Sequence, residues 1–169
     1  MFKKTIFVFL AFVVFFGLAE TRGVAANSAA RTKKIIAADA DVREIYGLIN
    51  RERRKKGLSD LNWSGDLQRL AQSHAQKMAD GRFFSHYGRN GETLMQRAGT
   101  MRIRGWRRIG ENLFMAQSYG KVNRLAVENW MRSPGHRQNI LDRSYNTTGI
   151  GVSVARDGTI YITQVFTQN

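Results

Sequence analysis

The residues best suited to chemistry are His86, Glu111 and His136, each 25 positions from the next. Two imidazoles and a carboxylate suit a divalent transition metal such as Zn2+, with water in an open position. They also suit acid–base work on a water molecule. The spacing is not a local metal motif, so only the fold can join the three. The remaining histidine, His74, falls on an apolar stripe with Leu67, Leu70, Ala71, Ala75 and Met78. A core histidine with one nitrogen satisfied is the simpler reading there. The chain has no cysteine, which removes a thiol nucleophile and a disulfide framework together. Ser85 and Ser133, near the two site histidines, read as a loop hydrogen-bonder and a cap, so no nucleophile is evident.

The stretch Trp130 to Leu141 has to position His136. It holds the chain's one proline. Ser133 is a natural N-cap, Pro134 suits the first helical position, and Gly135 lets the backbone come close to a neighbour. His136 then sits in the first turn of a short helix, where the helix dipole favours a neutral imidazole able to bind a metal or accept a proton. Ile140 and Leu141 would pin that helix to the core. His86 lies instead in an aromatic and glycine-rich loop, Phe83 to Gly88, of the kind that carries function. Glu111 enters an apolar run, Gly110-Glu111-Asn112-Leu113-Phe114, and needs a partner once buried: a backbone amide, an arginine or a histidine. A structural ion pair and a functional site are equally good readings of it.

Helices come first in the chain. Val42, Ile45, Leu48 and Ile49 define a helix from Asp41 to about Lys56, with basic residues gathered toward its C-terminal end and Gly57 as its stop. Ser64 caps a second helix that runs to about Asp80 and ends at Gly81. A short helix over 92–98, a basic segment over 101–108 containing Trp106, and a long helix from Val122 to Met131 follow. Two β-branched runs, 148–154 and 159–166, are joined by the turn Arg156-Asp157-Gly158. With another extended segment near 109–116, this order predicts an α+β layered domain. Gly149 and Gly151 within a strand point to close packing of a helix or sheet and not to a phosphate site.

Residues 1–26 read as a secretory signal: Lys3 and Lys4 precede an apolar run over 5–16, and Ala19 and Ala26 are candidate cleavage points. An uncleaved anchor is the competing reading, against which the run is short for a full span. Residues 27–40, small, polar and basic, read as a flexible lead-in, leaving 41–169 as one domain. The net charge of +14 becomes +12 once residues 1–26, with Lys3, Lys4, Arg22 and Glu20, are removed. An exported protein so basic is expected to meet anionic wall polymers, lipid head groups or acidic glycans, with no specific nucleic acid and no membrane contact beyond an uncleaved N-terminal segment.

The ordered set of motifs over 41–167 resembles a bacterial member of the CAP superfamily of cysteine-rich secretory, antigen 5 and pathogenesis-related proteins. The set comprises Asn50 and Arg53, Gly57-Leu58 and Leu61, the helix through His74, Phe84-Ser85-His86, Gly110 to Leu113, Trp130 to Leu141, Gly149 to Val152, and Thr163 to Phe166. The resemblance implies an α-β-α sandwich with a central antiparallel sheet and an open cleft, often lined in the family by two histidines and two glutamates that are able to hold a divalent ion. His86, Glu111 and His136 match three of the four. The fourth position is Ser133 here, and Glu128 is the alternative acidic group, although helical geometry turns it to another face. The resemblance favours a secreted cell-envelope binding or interaction module for a small amphiphile, glycan or metal. A metal-assisted hydrolase or peptidase using His86, Glu111 and His136, and a structural envelope or spore-coat protein, are the alternatives.

Overall fold

Val42, Ile45 and Ile49 are buried along one face of a helix over 41–54 (α1), as their spacing predicts. The structure, a computed structural model, describes residues 41–117 and 122–169. The signal segment over 1–26 and the lead-in over 27–40 lie outside the described residues. Gly57, at φ +67°, takes the left-handed conformation that ends the turn after α1. Arg53 is not simply a charge near the helix end. It is buried, and its guanidinium donates to the carbonyls of Ser59, Ile140, Asp142 and Tyr145, tying α1 to the segment that follows His136.

The strand Asn62–Trp63 (β1) leads into the helix Gly65–Gly81 (α2). The Ser64 hydroxyl caps α2 by accepting from the Leu67 amide at 3.3 Å. The left-handed residue that closes α2 is Arg82, at φ 50°, and not Gly81. Gly81 is small for another reason: a methyl there would collide with the Phe83 ring. A helix over Leu94–Thr100 (α3) begins with a capping box between Thr93 and Gln96, two residues later than the composition suggests.

The strands Arg108–Ala116 (β2), Thr147–Val154 (β3) and Ile160–Gln168 (β4) complete one sheet in the order β1-β3-β4-β2. β3 and β4 form the expected antiparallel hairpin, and β2 pairs antiparallel with β4 so that Glu111 lies opposite Val165. The two-residue β1 runs parallel to β3, which makes that edge the one departure from an antiparallel sheet. Gly149 and Gly151 lie directly beneath α2: a methyl at either would overlap backbone atoms at Gln68 or Gln72. The other face carries Ile150, Ile162 and Phe166, which pack on α1, on the helix Val122–Arg132 (α4) and on the helix Pro134–Leu141 (α5). Helices thus cover both faces of the sheet, giving the α-β-α sandwich.

Candidate functional site

The site is built around the edge strand β2, whose successive side chains turn to opposite faces of the sheet. Glu111 reaches toward α3 and the loop after α2, while Asn112 reaches toward α5. The Glu111 carboxylate is only 3% exposed and both of its oxygens are engaged. Oε2 accepts from Arg97 Nη2 at 2.6 Å, and Oε1 lies 2.9 Å from His86 Nδ1. A carboxylate facing a guanidinium accepts hydrogen bonds, so His86 Nδ1 is the donor to Glu111, and the rest of the ring belongs to a side chain 51% exposed. Arg97 also donates through Nη1 to the His86 carbonyl at 2.9 Å. The same guanidinium therefore holds the loop that carries His86 and the carboxylate that orients its ring.

On the other side of β2, the Asn112 amide donates to the His136 carbonyl at 3.1 Å. Asn139 donates to Asn112 Oδ1 and to the Glu111 carbonyl. These bonds lock the first turns of α5 onto β2 and set the place of His136. Partial burial and the nearby charge of His86 hold the His136 imidazole below its ordinary pKa, favouring the neutral ring. Pro134 takes the first helical position as expected, but the Ser133 hydroxyl makes no capping bond, and the space beside Gly135 is open, so that glycine serves no close approach. His74 is a buried core histidine with one satisfied nitrogen. Its Nε2 donates to the Ser85 carbonyl at 2.9 Å, and Nδ1 has no partner among the described residues. Burial lowers its pKa, outweighing the attraction of Glu111. Ser85 acts as a loop hydrogen-bonder, accepting from the Tyr87 amide.

A cleft of about 330 Å³ opens beside His136. Phe84, Leu113, Phe114, Met115 and Trp130 form its apolar wall, and Asn129, Ser133 and His136 are its polar groups. Trp130 is fixed by an indole bond to the Leu113 carbonyl, whereas Phe84 is 47% exposed at the mouth. Glu128 is exposed and lines a different groove, between α1 and α4, with Arg51, Lys55, Arg124 and Arg132 around it. As to a divalent metal, Glu111 presents no unbonded oxygen. Among the described residues no three His, Asp, Glu or Cys side chains are arranged to hold an ion. The donor set as placed does not fit a joined three-ligand centre.

Residue type and order find His86, Glu111 and His136, but not Arg97, Asn112 or Asn139. The available signal for Arg97 is its place three residues after Leu94 and next to Ala98, on the face of α3 that packs inward.

An α-β-α sandwich with a cleft beside its edge strand, His136 lining the cleft and His86 bonded to a buried Glu111, is an architecture of the cysteine-rich secretory type of domain. The model of the CAP family, described as the cysteine-rich secretory protein family, matches residues 46–168, and the chain belongs to that family. Two proteins of Bacillus subtilis (strain 168) are similar to it. The uncharacterized protein YkwD is 30% identical over 149 residues, 86% of this chain and 56% of that protein. The uncharacterized membrane protein YlbC is 32% identical over 110 residues, 65% of this chain and 31% of that protein. The chain therefore spans between about a third and just over half of the curated relatives it matches. Among solved structures, an extracellular protein containing an SCP domain from Bacillus anthracis is 29% identical with a TM-score of 0.67, over 78% of this chain and 41% of that one. An outer surface protein of Borrelia burgdorferi, 22% identical with a TM-score of 0.69 over 77% of this chain and 93% of that one, shares the fold. No helix among the described residues is long and apolar enough to cross a membrane.

Proposed function

We propose that this domain works outside the cytoplasm as a binding module whose cleft takes a small amphiphile. The observation that carries the reading is the engagement of both Glu111 oxygens, one by Arg97 and one by His86. The carboxylate at the polar centre is thus already engaged, and the surface offered to a ligand is the apolar wall beside it. Phe84, Phe114 and Met115 would meet an apolar body above the buried Leu113 and Trp130, while His136, Ser133 and Asn129 would meet a polar head. A location outside the cytoplasm is supported by the basic and apolar start of the sequence, and by the extracellular description of the Bacillus anthracis relative.

Calorimetry with octyl glucoside, beside a short soluble glycan, tests the reading. Binding of octyl glucoside weakened at least tenfold by Met115→Glu and by His136→Ala, about 1.4 kcal/mol, is the expected result. It should be unchanged after chelation. Affinity retained in both variants would sink the proposal, and tighter binding of the glycan than of the amphiphile would reassign the cleft. A metal-assisted hydrolase would instead show zinc-dependent turnover lost in Glu111→Gln. A purely structural network would show His136→Ala lowering stability with no ligand to lose.

A further inference from the structure

Two runs of the domain are dense in cations, and they differ in what surrounds them. In α1 and the turn after it, Arg53 is buried, Arg54 pairs with Asp60 and Lys55 pairs with Glu52. Only Arg51 and Lys56 there are exposed without a carboxylate partner among the described residues, and acidic groups lie within the run. The segment 102–108, Arg-Ile-Arg-Gly-Trp-Arg-Arg, holds four arginines and no acid. Arg108 pairs with Asp142 at 3.0 Å, whereas Arg102, Arg104 and Arg107 are exposed and have no carboxylate partner among the described residues.

This segment has no helix or strand before β2, yet it is fixed. The Arg102 amide donates to the Gly99 carbonyl, the Ile103 amide to Ala98, and the Arg107 amide to Gln168 at 2.7 Å. The Trp106 indole donates to the Ile103 carbonyl. Ile103 and Trp106 pack against the cluster of Leu67, Leu70, Ala98 and Val165. The apolar side chains thus anchor the segment from within and the arginines are displayed outward on a backbone that need not be ordered on binding, which lowers the entropic cost of association.

We infer that segment 102–108 is a docking surface for a phosphodiester-linked polyanion. The planar guanidinium matches phosphate oxygens in pairs, and the cations here are arginines without a single lysine. The three unpaired ones lie two and three positions apart on a segment that turns at Arg102 and Gly105, and all three are exposed, which suits a partner that meets several cations in succession better than one enclosed anion. An anionic membrane fits less well, because the two large apolar side chains of the segment face the core and are not available for insertion. The surface deepens the extracytoplasmic reading by naming a class of partner. It uses no residue of the cleft, so loss of amphiphile binding and loss of polyanion binding are separate results.

The test is binding of poly(glycerol phosphate) to the full chain across a range of salt concentrations. The triple variant Arg102→Gln, Arg104→Gln, Arg107→Gln is set beside Arg51→Gln, Arg54→Gln, Lys56→Gln, which removes the same charge from α1 and the turn after it. The expected result is at least tenfold weaker binding and a shallower salt dependence in the loop variant, with the α1 variant within about twofold of wild type. A loop variant in which the three arginines become lysines keeps the charge and guards against misfolding, and it is expected to fall between the two. Equal losses in the two charge-removing variants would overturn the proposal in favour of net charge alone. So would no binding by the wild type, or binding to phosphatidylglycerol vesicles without binding to the polymer.

Discussion

Arg97 and Glu111 form an ion pair at 2.6 Å in which each side chain is only 3% exposed. A pair this deep is costly to break from one side, because the remaining charge keeps its desolvation penalty and loses its compensation. Arg97→Ala also frees the His86 carbonyl from its Nη1 donor. The variant is expected to lose about 3–5 kcal/mol of stability in urea unfolding. The double variant Arg97→Met, Glu111→Leu should recover most of that loss. A single variant within about 1 kcal/mol of wild type would mean that water reaches the pair.

The two glycines of β3 and the glycine of α5 should respond in opposite directions. At Gly151, an added methyl would overlap the backbone of α2 at Gln72, which cannot move aside as a flexible side chain can. Gly151→Ala is expected to cost about 3 kcal/mol or more. Gly135 has no atom within contact of an added methyl and sits inside a helix. Gly135→Ala should therefore stabilise by about 0.5–1 kcal/mol. Thermal midpoints of the two variants relative to wild type decide the matter, and equal destabilisation would contradict the packing described.

Some of this was open to inspection in the chain and some was not. Gly149 and Gly151 two positions apart in a β-branched run face one side of a sheet, so close packing there follows from periodicity, and it is the structure that makes the neighbour the helix α2. The helical faces of α1 and α2 follow from apolar spacing, and the hairpin from its Asp157-Gly158 turn. The site is legible only in part. His86 and Glu111 stand out because a histidine in a loop and a carboxylate in an apolar run both need explaining. Arg97 does not stand out, since in a chain with 27 lysines and arginines nothing local distinguishes a buried guanidinium from a solvated one. Its role depends on β2 lying against α3, a long-range relationship. Likewise Gly81 reads as a helix stop, yet the left-handed residue is Arg82, because the glycine is needed to clear the Phe83 ring.

Histidine burial sets an acid limit on the fold. His74 is fully buried, faces the charges of Glu111, Arg97 and His86, and has its pKa lowered mainly by desolvation. Its folded pKa lies below the unfolded value, so the unfolded chain binds more protons on acidification. Stability is fully present above the ordinary histidine range near pH 6.5 and falls as the pH drops below it. His136 contributes in the same direction, through burial and the charge of His86. Urea midpoints measured between about pH 7 and 5 should decline in wild type and decline less steeply in His74→Gln. They should be flattest when His136→Gln is added. Equal slopes in all three would place the acid sensitivity elsewhere.

Metal is the remaining question about the polar centre, and the geometry gives a direct expectation. A ligand set of His86, Glu111 and His136 would require the carboxylate to leave Arg97 or His86, stranding a buried guanidinium or releasing the His86 ring. Zinc titrated into the full chain by calorimetry is expected to give no one-to-one complex that both His86→Ala and His136→Ala abolish. Chelation should leave the thermal midpoint where it was, since linkage gives stabilisation only from a ligand that prefers the folded state. A stoichiometric complex lost in both variants, with a midpoint that rises on adding zinc, would show that the network opens to admit the ion. In that case Arg97 would act as the latch that zinc displaces, and Arg97→Met should bind zinc more tightly than wild type because its carboxylate is already released.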